Sequence, residues 1–322
     1  MSVTTSPAPP SRRLADARVP LSDRIGEPAF YALCALAALV AVGVLVWIAE
    51  TVFQQSGTAF STFGLGFIGH STWDPNHNVF GAAAFLYGTF VSSLIALILA
   101  TPTAIFIAIY LTELAPPLIR RPVAILVELL AAIPSVILGL WGIIVVAPFL
   151  ANHLEPFLHS FLGWFPLFSG SYSGYSMLNA ALILTIMVLP IITSLTREIF
   201  LATAGELKEG AYALGATRWE MIRMTVLPVA RPGIIGAAVL GLGRALGEAI
   251  AVTQVIGNAS QIKASLFQTG GTLASWIADQ YQSANPGLGQ SSLIYLAAIL
   301  LVLSLLVNVG ARLIVRRFRR VR

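Results

Sequence analysis

The run FLYGTFVSSLIALILATPTAIFIAIYL, from Phe85 to Leu111, carries no charged residue over 27 positions. A helix rises about 1.5 Å per residue and the hydrocarbon core of a bilayer is roughly 30 Å thick, so about 20 such residues are enough to cross it. Five further runs meet that length: Phe30–Phe53, Val123–Leu150, Met177–Thr196, Gly233–Ile256 and Ser291–Val315. They are continuous, without the alternation of a membrane strand, which predicts six spanning helices rather than a barrel. The composition agrees. Of 322 residues, 57% are hydrophobic and only 10% charged, against roughly 25% charged in a soluble protein. That excludes a soluble domain, which needs a charged shell, and a disordered chain, which cannot be this apolar. The single cysteine, Cys34, excludes a disulfide scaffold. The chain reads as an all-α membrane protein.

Orientation follows from the basic residues. Of the 19 Lys and Arg, 17 fall on one side of the six runs, in the N-terminal tail, the second and fourth loops and the C-terminal end. Lys263 lies on the other side and Arg244 inside a span. Both termini are therefore expected in the cytoplasm. The pI near 9.7 reads as a topology signal and as contact with anionic lipid, not as a nucleic-acid footprint. The first apolar run is too long for a signal-peptide core and no small-residue cleavage site follows, so it is expected to stay attached. Residues 1–28, rich in Ser, Pro and Arg, read as a flexible cytoplasmic tail, and residues 29–322 as one membrane domain.

The longest cytoplasmic connection, residues 197–232, is too polar to span and too patterned for a linker. Leu207, Ala211 and Leu214 share a helical face, with Glu206 and Glu209 placed early, where the helix dipole favours acids. Gly215 can end that helix. A second short helix, about Thr217–Thr225, presents Trp219, Ile222 and Val226 before Pro228 and Pro232 stop it. Two short helices joined by a glycine make a knob that a partner groove could hold; a hairpin lying on the headgroups is the other reading.

Within this loop, Glu209-Gly-Ala211, three residues, Gly215, nine residues and Thr225-Val-Leu-Pro228 resemble the EAA loop of ABC-importer permeases. Gly210 replaces the second residue of the triplet and Thr225 stands where Ile is usual. A glycine there loosens a helix by about 1 kcal/mol relative to Ala. The resemblance implies a coupling helix that docks into an ATPase subunit, with Glu206, Glu209, Gly210, Ala211, Gly215 and Trp219 at or near that contact.

Further segments resemble phosphate importer permeases of the PstC type: Leu227-Pro-Val-Ala-Arg-Pro-Gly233, Leu240-Gly-Leu-Gly-Arg244-Ala-Leu-Gly-Glu248, Val255-Ile-Gly-Asn258, Trp73-Asp-Pro75, Phe80-Gly-Ala82, Thr112-Glu-Leu-Ala-Pro116 and Glu128-Leu-Leu-Ala-Ala-Ile-Pro134. The resemblance implies a type I ABC importer permease (MetI-like) fold. It also implies a heterodimer with a PstA-type subunit, an ATPase dimer and an extracytoplasmic phosphate-binding protein. No cofactor is expected on this chain, ATP and Mg being held by the ATPase.

The fifth run holds the most informative charges. Counting from Gly233, Arg244 lies about 16 Å in and Glu248 about 22 Å in. A charge at the bilayer centre costs about 2.5–3.5 kcal/mol on insertion scales, so both should face protein or water. Four residues apart, they can pair, and Gly236, Leu240, Gly243, Gly247 and Ala251 lie on or beside their face, allowing close approach. Two readings stay open. Either the pair neutralises itself and the glycines only pack helices, or Arg244 presents its planar fork to a tetrahedral oxyanion while Glu248 accepts the proton of hydrogen phosphate. The resemblance implies phosphate as the cargo, with sulfate or molybdate, or an ATPase-independent secondary transporter, as alternatives.

Glu128, about 9 Å into the third run, is expected to snorkel or pair near the cytoplasmic face. Pro134 interrupts that run and is a candidate gating or structural kink. His70, His77, His153 and His159 lack metal-ligand spacing. No Gly-x4-Gly-Lys-Ser/Thr loop exists, so this chain is not the ATPase. No nucleophile, base and orienting acid share a plausible depth, and a transport subunit in a prokaryotic cell membrane is expected rather than an enzyme.

Overall fold

The computed structural model describes residues 21–319. Most of the expected tail, with Arg12, Arg13 and Arg18, and the final Arg320 and Arg322 lie outside the described residues. The chain divides into two units, one to Thr51 and the other from Val52. The first is helical: α1 runs Leu21–Gln55, so the last residues of the expected flexible tail, 21–28, are helix.

The second unit starts within the last turn of α1 and continues with the short helices α2 (Gly57–Phe63) and α3 (Gly66–Gly69). The long helix α4 follows, Ala83–Leu114 with its last turn widened. After it come α5 (Pro117–Ala132), α6 (Ser135–Leu162) and α7 (Met177–Leu201). Next are α8 (Gly205–Ala213), α9 (Arg218–Gly247) and α10 (Ile250–Val255), then α11 (Leu273–Gln280) and α12 (Leu288–Arg319). Among the described residues, strand pairing is confined to one isolated bridge, Asp74 with Val79. Six helices are long and apolar enough to cross a membrane: Phe30–Gln55 within α1, then α4, α6, α7, α9 and Leu288–Leu313 within α12.

The central helix is α7. Along α4, Ala96, Ala100, Ala104 and Ala108 are fully buried at four-residue spacing, a stripe of small residues that lets the α4 backbone approach α7 closely. Ile183, Leu184, Met187, Val188 and Ile192 of α7 join Ala237 and Ala245 of α9 and Val252 and Val255 of α10 in the main core. A second cluster closes one end, where Phe67 stacks on Tyr295 and Phe85 on Trp276, each pair 4.6 Å apart. At the other end a third cluster binds α9 to α4 and α7 through Met221, Ile222, Val226, Ile109 and Phe200.

Two of the expected spans are shifted. The third is not Val123–Leu150: α5 ends at Ala132, Ile133 and Pro134 are extended, and the crossing helix is α6. The proline biases its predecessor out of the helical region, so the run is cut there and Pro134 becomes the N-cap of α6 rather than a kink within a span. The fifth is not one helix over Gly233–Ile256: α9 stops at Gly247 and restarts as α10. Nor do Pro228 and Pro232 stop the second hairpin helix, which continues unbroken through both to Gly247. The reason is a wide turn. Residues Ile222–Val226 bond i to i+5, and Pro228 follows two residues later. A proline cannot donate and crowds the carbonyl four residues back; an added residue in the preceding turn relieves both conflicts without ending the helix. The same pairing recurs at Gly142–Val146 before Pro148, at Leu150–Leu154 before Pro156, and at Tyr110–Leu114 before Pro116, where the helix does end.

Candidate functional site

Arg244 sits in the last turn of α9 and its side chain is exposed. Its level in the bundle is fixed by Gly241, whose position abuts Val188 and Ile192 from the middle of α7. The guanidinium therefore occupies the carbonyl end of α9 near the level of the middle of α7, where a cation offsets the negative end of the dipole. Leu240, one turn earlier, and Gly247 are exposed with it.

Glu248 lies beyond the break in extended backbone, φ −72° and ψ 118°. Among the described residues Arg244 and Glu248 form no ion pair, because the break takes Glu248 off the turn that would have stacked it on Arg244. Instead, the Ala251 N–H donates to Glu248 Oε1 at 3.3 Å. The carboxylate thus satisfies an otherwise orphan donor in the first turn of α10. The Thr253 hydroxyl donates to the Ala249 carbonyl at 2.7 Å and lies 3.3 Å from the Ser275 carbonyl, and the Asn258 amide donates to the Thr253 carbonyl at 3.4 Å. The short helix is held at both ends by side chains, as backbone interrupted at membrane depth requires.

The glycines next to Arg244 do not make the close contacts expected of them. A Cβ at Gly236 or Gly247 would meet nothing within 4 Å, and one at Gly243 only the Asn308 amide at 3.9 Å. Tight approach belongs to Gly241 against α7, to Gly233 against Ile199, and to Gly139 of α6, where a Cβ would lie 2.6 Å from Gln254 Oε1 on α10. Arg244 therefore fronts an open face.

The second constellation is the hairpin. Gly215 has φ +84°, a left-handed conformation that an L side chain resists. Its N–H donates to the Tyr212 carbonyl at 2.9 Å and the next N–H, of Ala216, to the Ala211 carbonyl at 3.1 Å; this paired arrangement closes α8. The chain then enters α9 through a reciprocal cap. Thr217 N–H and hydroxyl donate to Glu220 Oε2 at 2.8 and 2.7 Å, and Glu220 N–H donates to the Thr217 hydroxyl oxygen at 3.3 Å. Between the two helices lies a groove of about 750 Å³ lined by Glu206, Gly210, Ala211, Gly215, Met224 and Pro228 among others. Glu209 and Trp219 are not part of its lining; both are exposed, Trp219 to 57%.

Two residues that the sequence pattern does not single out tie this hairpin to the bundle. Lys208 Nζ lies 2.6 Å from Glu113 Oε1 in the widened last turn of α4, with side chains 21% and 9% exposed. Arg120 adds hydrogen bonds to the Thr112 and Ala115 carbonyls at 3.1 and 3.4 Å, filling the acceptors that the end of α4 leaves open. Glu128 is on α5, not inside a span; its side chain is 61% exposed and pairs with Arg197 of α7 at 3.7 Å.

Residues 100–320 match the family described as binding-protein-dependent transport system inner membrane component. The chain is 43% identical to the phosphate transport system permease protein PstC of Mesorhizobium japonicum over 98% of both chains. It is 43% identical to the protein of the same name from Pasteurella multocida over 82% of this chain and 84% of that one. Among solved structures, a chain of a bacterial ABC transporter involved in import of the acidic polysaccharide alginate superposes with a TM-score of 0.61, at 18% identity, over 91% of this chain and 99% of its own.

Proposed function

The chain belongs to the binding-protein-dependent transport system inner membrane component family, and from that premise we propose that it is the permease subunit of an ATP-driven importer of inorganic phosphate. It is a multi-pass membrane protein with the type I importer permease fold, a transport component rather than an enzyme. The observation that carries the substrate is the near-full-length likeness to phosphate transport permeases. ATP and Mg belong to a separate ATPase dimer, and an extracytoplasmic phosphate-binding protein delivers the anion.

The open face of α9 supports a second permease subunit of the PstA type. An arginine half-way across the bilayer is too costly to leave against lipid, so Leu240, Arg244 and Gly247 look toward a partner subunit and the water between them. There the guanidinium offers a fork of donors matched to a tetrahedral oxyanion. Glu248, acidic and close by but unpaired with it, accepts the proton of hydrogen phosphate and keeps the anion from lodging permanently. The hairpin groove receives the ATPase. Closure of the ATPases pushes on α8, and the push reaches the spans through α9, which is continuous from Arg218 to Gly247, and through the Lys208–Glu113 contact. Both termini lie in the cytoplasm in this arrangement.

The test is uptake of radiolabelled phosphate by cells carrying Arg244→Gln in the assembled importer, with complex abundance measured in parallel. Uptake falls to background while abundance holds. Unchanged uptake would remove Arg244 from the anion path. Equal competition by sulfate or molybdate would reassign the substrate, and transport by the purified chain alone in liposomes would replace the ATP-driven reading.

A further inference from the structure

Glu155 of α6 is the one charged residue that is fully buried among the described residues, and neither the anion path nor the ATPase contact uses it. The buried face of α6 runs through Leu138, Gly142, Val146 and Leu150 in steps of four, then takes a step of five to Glu155. The extra residue belongs to the widened turn Leu150–Leu154. At about 3.6 residues per turn, an ordinary helix would have set Leu154 on that face and carried Glu155 about 100° away from it. The widened turn therefore brings a carboxyl inward. Among the described residues no cation lies within ion-pair distance of it. An apolar side chain of similar size would fill such a place at equal or lower free energy, so what the carboxyl adds is its hydrogen bonding.

That bonding leads to α10. The Ser176 hydroxyl donates to Glu155 Oε1 at 3.2 Å. Ser176 is the N-cap of α7, where its oxygen accepts from the Asn179 N–H at 3.2 Å, and its own N–H donates to the Val255 carbonyl at 3.1 Å. Val255 is the last residue of α10. The Asn179 amide donates to the Gly142 carbonyl of α6 at 3.3 Å, and a Cβ at Gly142 would lie 2.6 Å from Val255 Cγ1. Three helices thus meet at one junction. A helix of six residues does not hold itself together; α10 depends on Glu248, which accepts from the Ala251 N–H at one end, and on this junction at the other. We propose that Glu155 is a positioning residue for anion transfer: through Ser176 it fixes the Val255 end of α10, and the short helix carries that constraint to Glu248. The proposal rests on the reading of Arg244 and Glu248 as the anion path.

The experiment combines amide exchange of the assembled importer with phosphate uptake measured per complex. Glu155→Leu fills the space and removes the acceptor. Exchange across residues 250–255 quickens about fivefold, while residues 205–213 of the hairpin keep wild-type exchange. Uptake per complex falls by a similar factor at an unchanged half-saturating phosphate concentration. Glu155→Gln keeps an oxygen for the Ser176 hydroxyl and restores both. A residue that only packs the bundle would compound any second defect. If Glu155 acts through Glu248, the double variant Glu155→Leu with Glu248→Gln takes up phosphate no more slowly than Glu248→Gln alone. Should Glu155→Leu fail to assemble, Ser176→Ala breaks the same link from the other side and is read in the same way. Unchanged exchange in α10, or losses that multiply in the double variant, would overturn the proposal. Failure of the anion-path reading shows separately, as unchanged uptake in Arg244→Gln.

Discussion

Lys208 and Glu113 are 95 residues apart in the chain and 2.6 Å apart in space, joining the first hairpin helix to the last turn of α4. Both side chains are largely shielded, Glu113 to all but 9%. The contact matters because α8 buries little of its own: none of its residues is fully buried, and it is short. A nine-residue helix is marginal alone, so its placement depends on this contact and on the turn chemistry at Gly215.

Removing the cation leaves Glu113 without its partner in a poorly solvated corner. Lys208→Gln should cost about 2 kcal/mol of local stability, which corresponds to roughly 30-fold faster amide exchange across residues 205–213. The swap Glu113→Lys with Lys208→Glu should recover most of the protection. Exchange that does not respond to Lys208→Gln would show the pair to be incidental.

The helical architecture was legible because continuous apolar runs have few alternatives in a bilayer; four of the six spans fall within a few residues of their expected limits. The two misplaced spans share a cause. Hydropathy reads Val123 to Leu150 as one stretch because the residues around Pro134 are apolar, although the proline turns the backbone there. In α9 the reverse holds: Pro228 looks like a stop, and the wide turn at Ile222–Val226 that carries the helix past it has no marker except the proline itself. The charges were legible as residues but not as contacts. Arg244 and Glu248 are spaced to pair on a helix, and the break at Gly247 was not visible from spacing. Lys208 and Glu113 are far apart in the chain, and only the folded arrangement brings them together.

Gly210 and Gly215 should respond to alanine in opposite directions. Gly210 is within α8, exposed, and a Cβ there meets nothing within 4 Å. Gly210→Ala should therefore stabilise the helix by about 1 kcal/mol, seen as slower amide exchange in α8. Gly215 also has free space, but its φ of +84° penalises any side chain, so Gly215→Ala should cost about 1–2 kcal/mol. If both variants shift exchange the same way, backbone conformation is not what closes the hairpin.

The turn at Asp74 supplies a pH dependence. His77 Nδ1 lies 2.6 Å from Asp74 Oδ2, and the Asn76 N–H donates to Asp74 Oδ1 at 2.9 Å. The His77 contact, then the Asn76 hydrogen bond, hold the carboxyl below its ordinary value of 3.8. A carboxylate whose pKa is depressed on folding stabilises the turn above that ordinary value and loses the contribution as pH falls through the folded pKa. Protection factors at residues 74–79, corrected for intrinsic exchange, should fall as pH drops below about pH 4. Asp74→Asn should abolish the fall; its persistence would assign the acid sensitivity elsewhere.

Glu248 allows its two roles to be separated by one atom. The carboxylate caps α10 through the Ala251 N–H, and a glutamine side chain keeps an oxygen that can accept the same bond. Glu248→Gln should therefore preserve the protection of residues 250–255, losing only the dipole share of about 0.3–1 kcal/mol. Glu248→Ala removes the acceptor and should cost about 1 kcal/mol, with faster exchange across α10. Phosphate uptake distinguishes a charge that handles the anion from one that only shapes the backbone. If the negative charge acts on the substrate, Glu248→Gln lowers uptake about tenfold, equivalent to about 1.4 kcal/mol, while α10 stays protected. If uptake in Glu248→Gln matches the wild type and only Glu248→Ala is impaired, the residue works solely as a cap, and Arg244 handles phosphate without it.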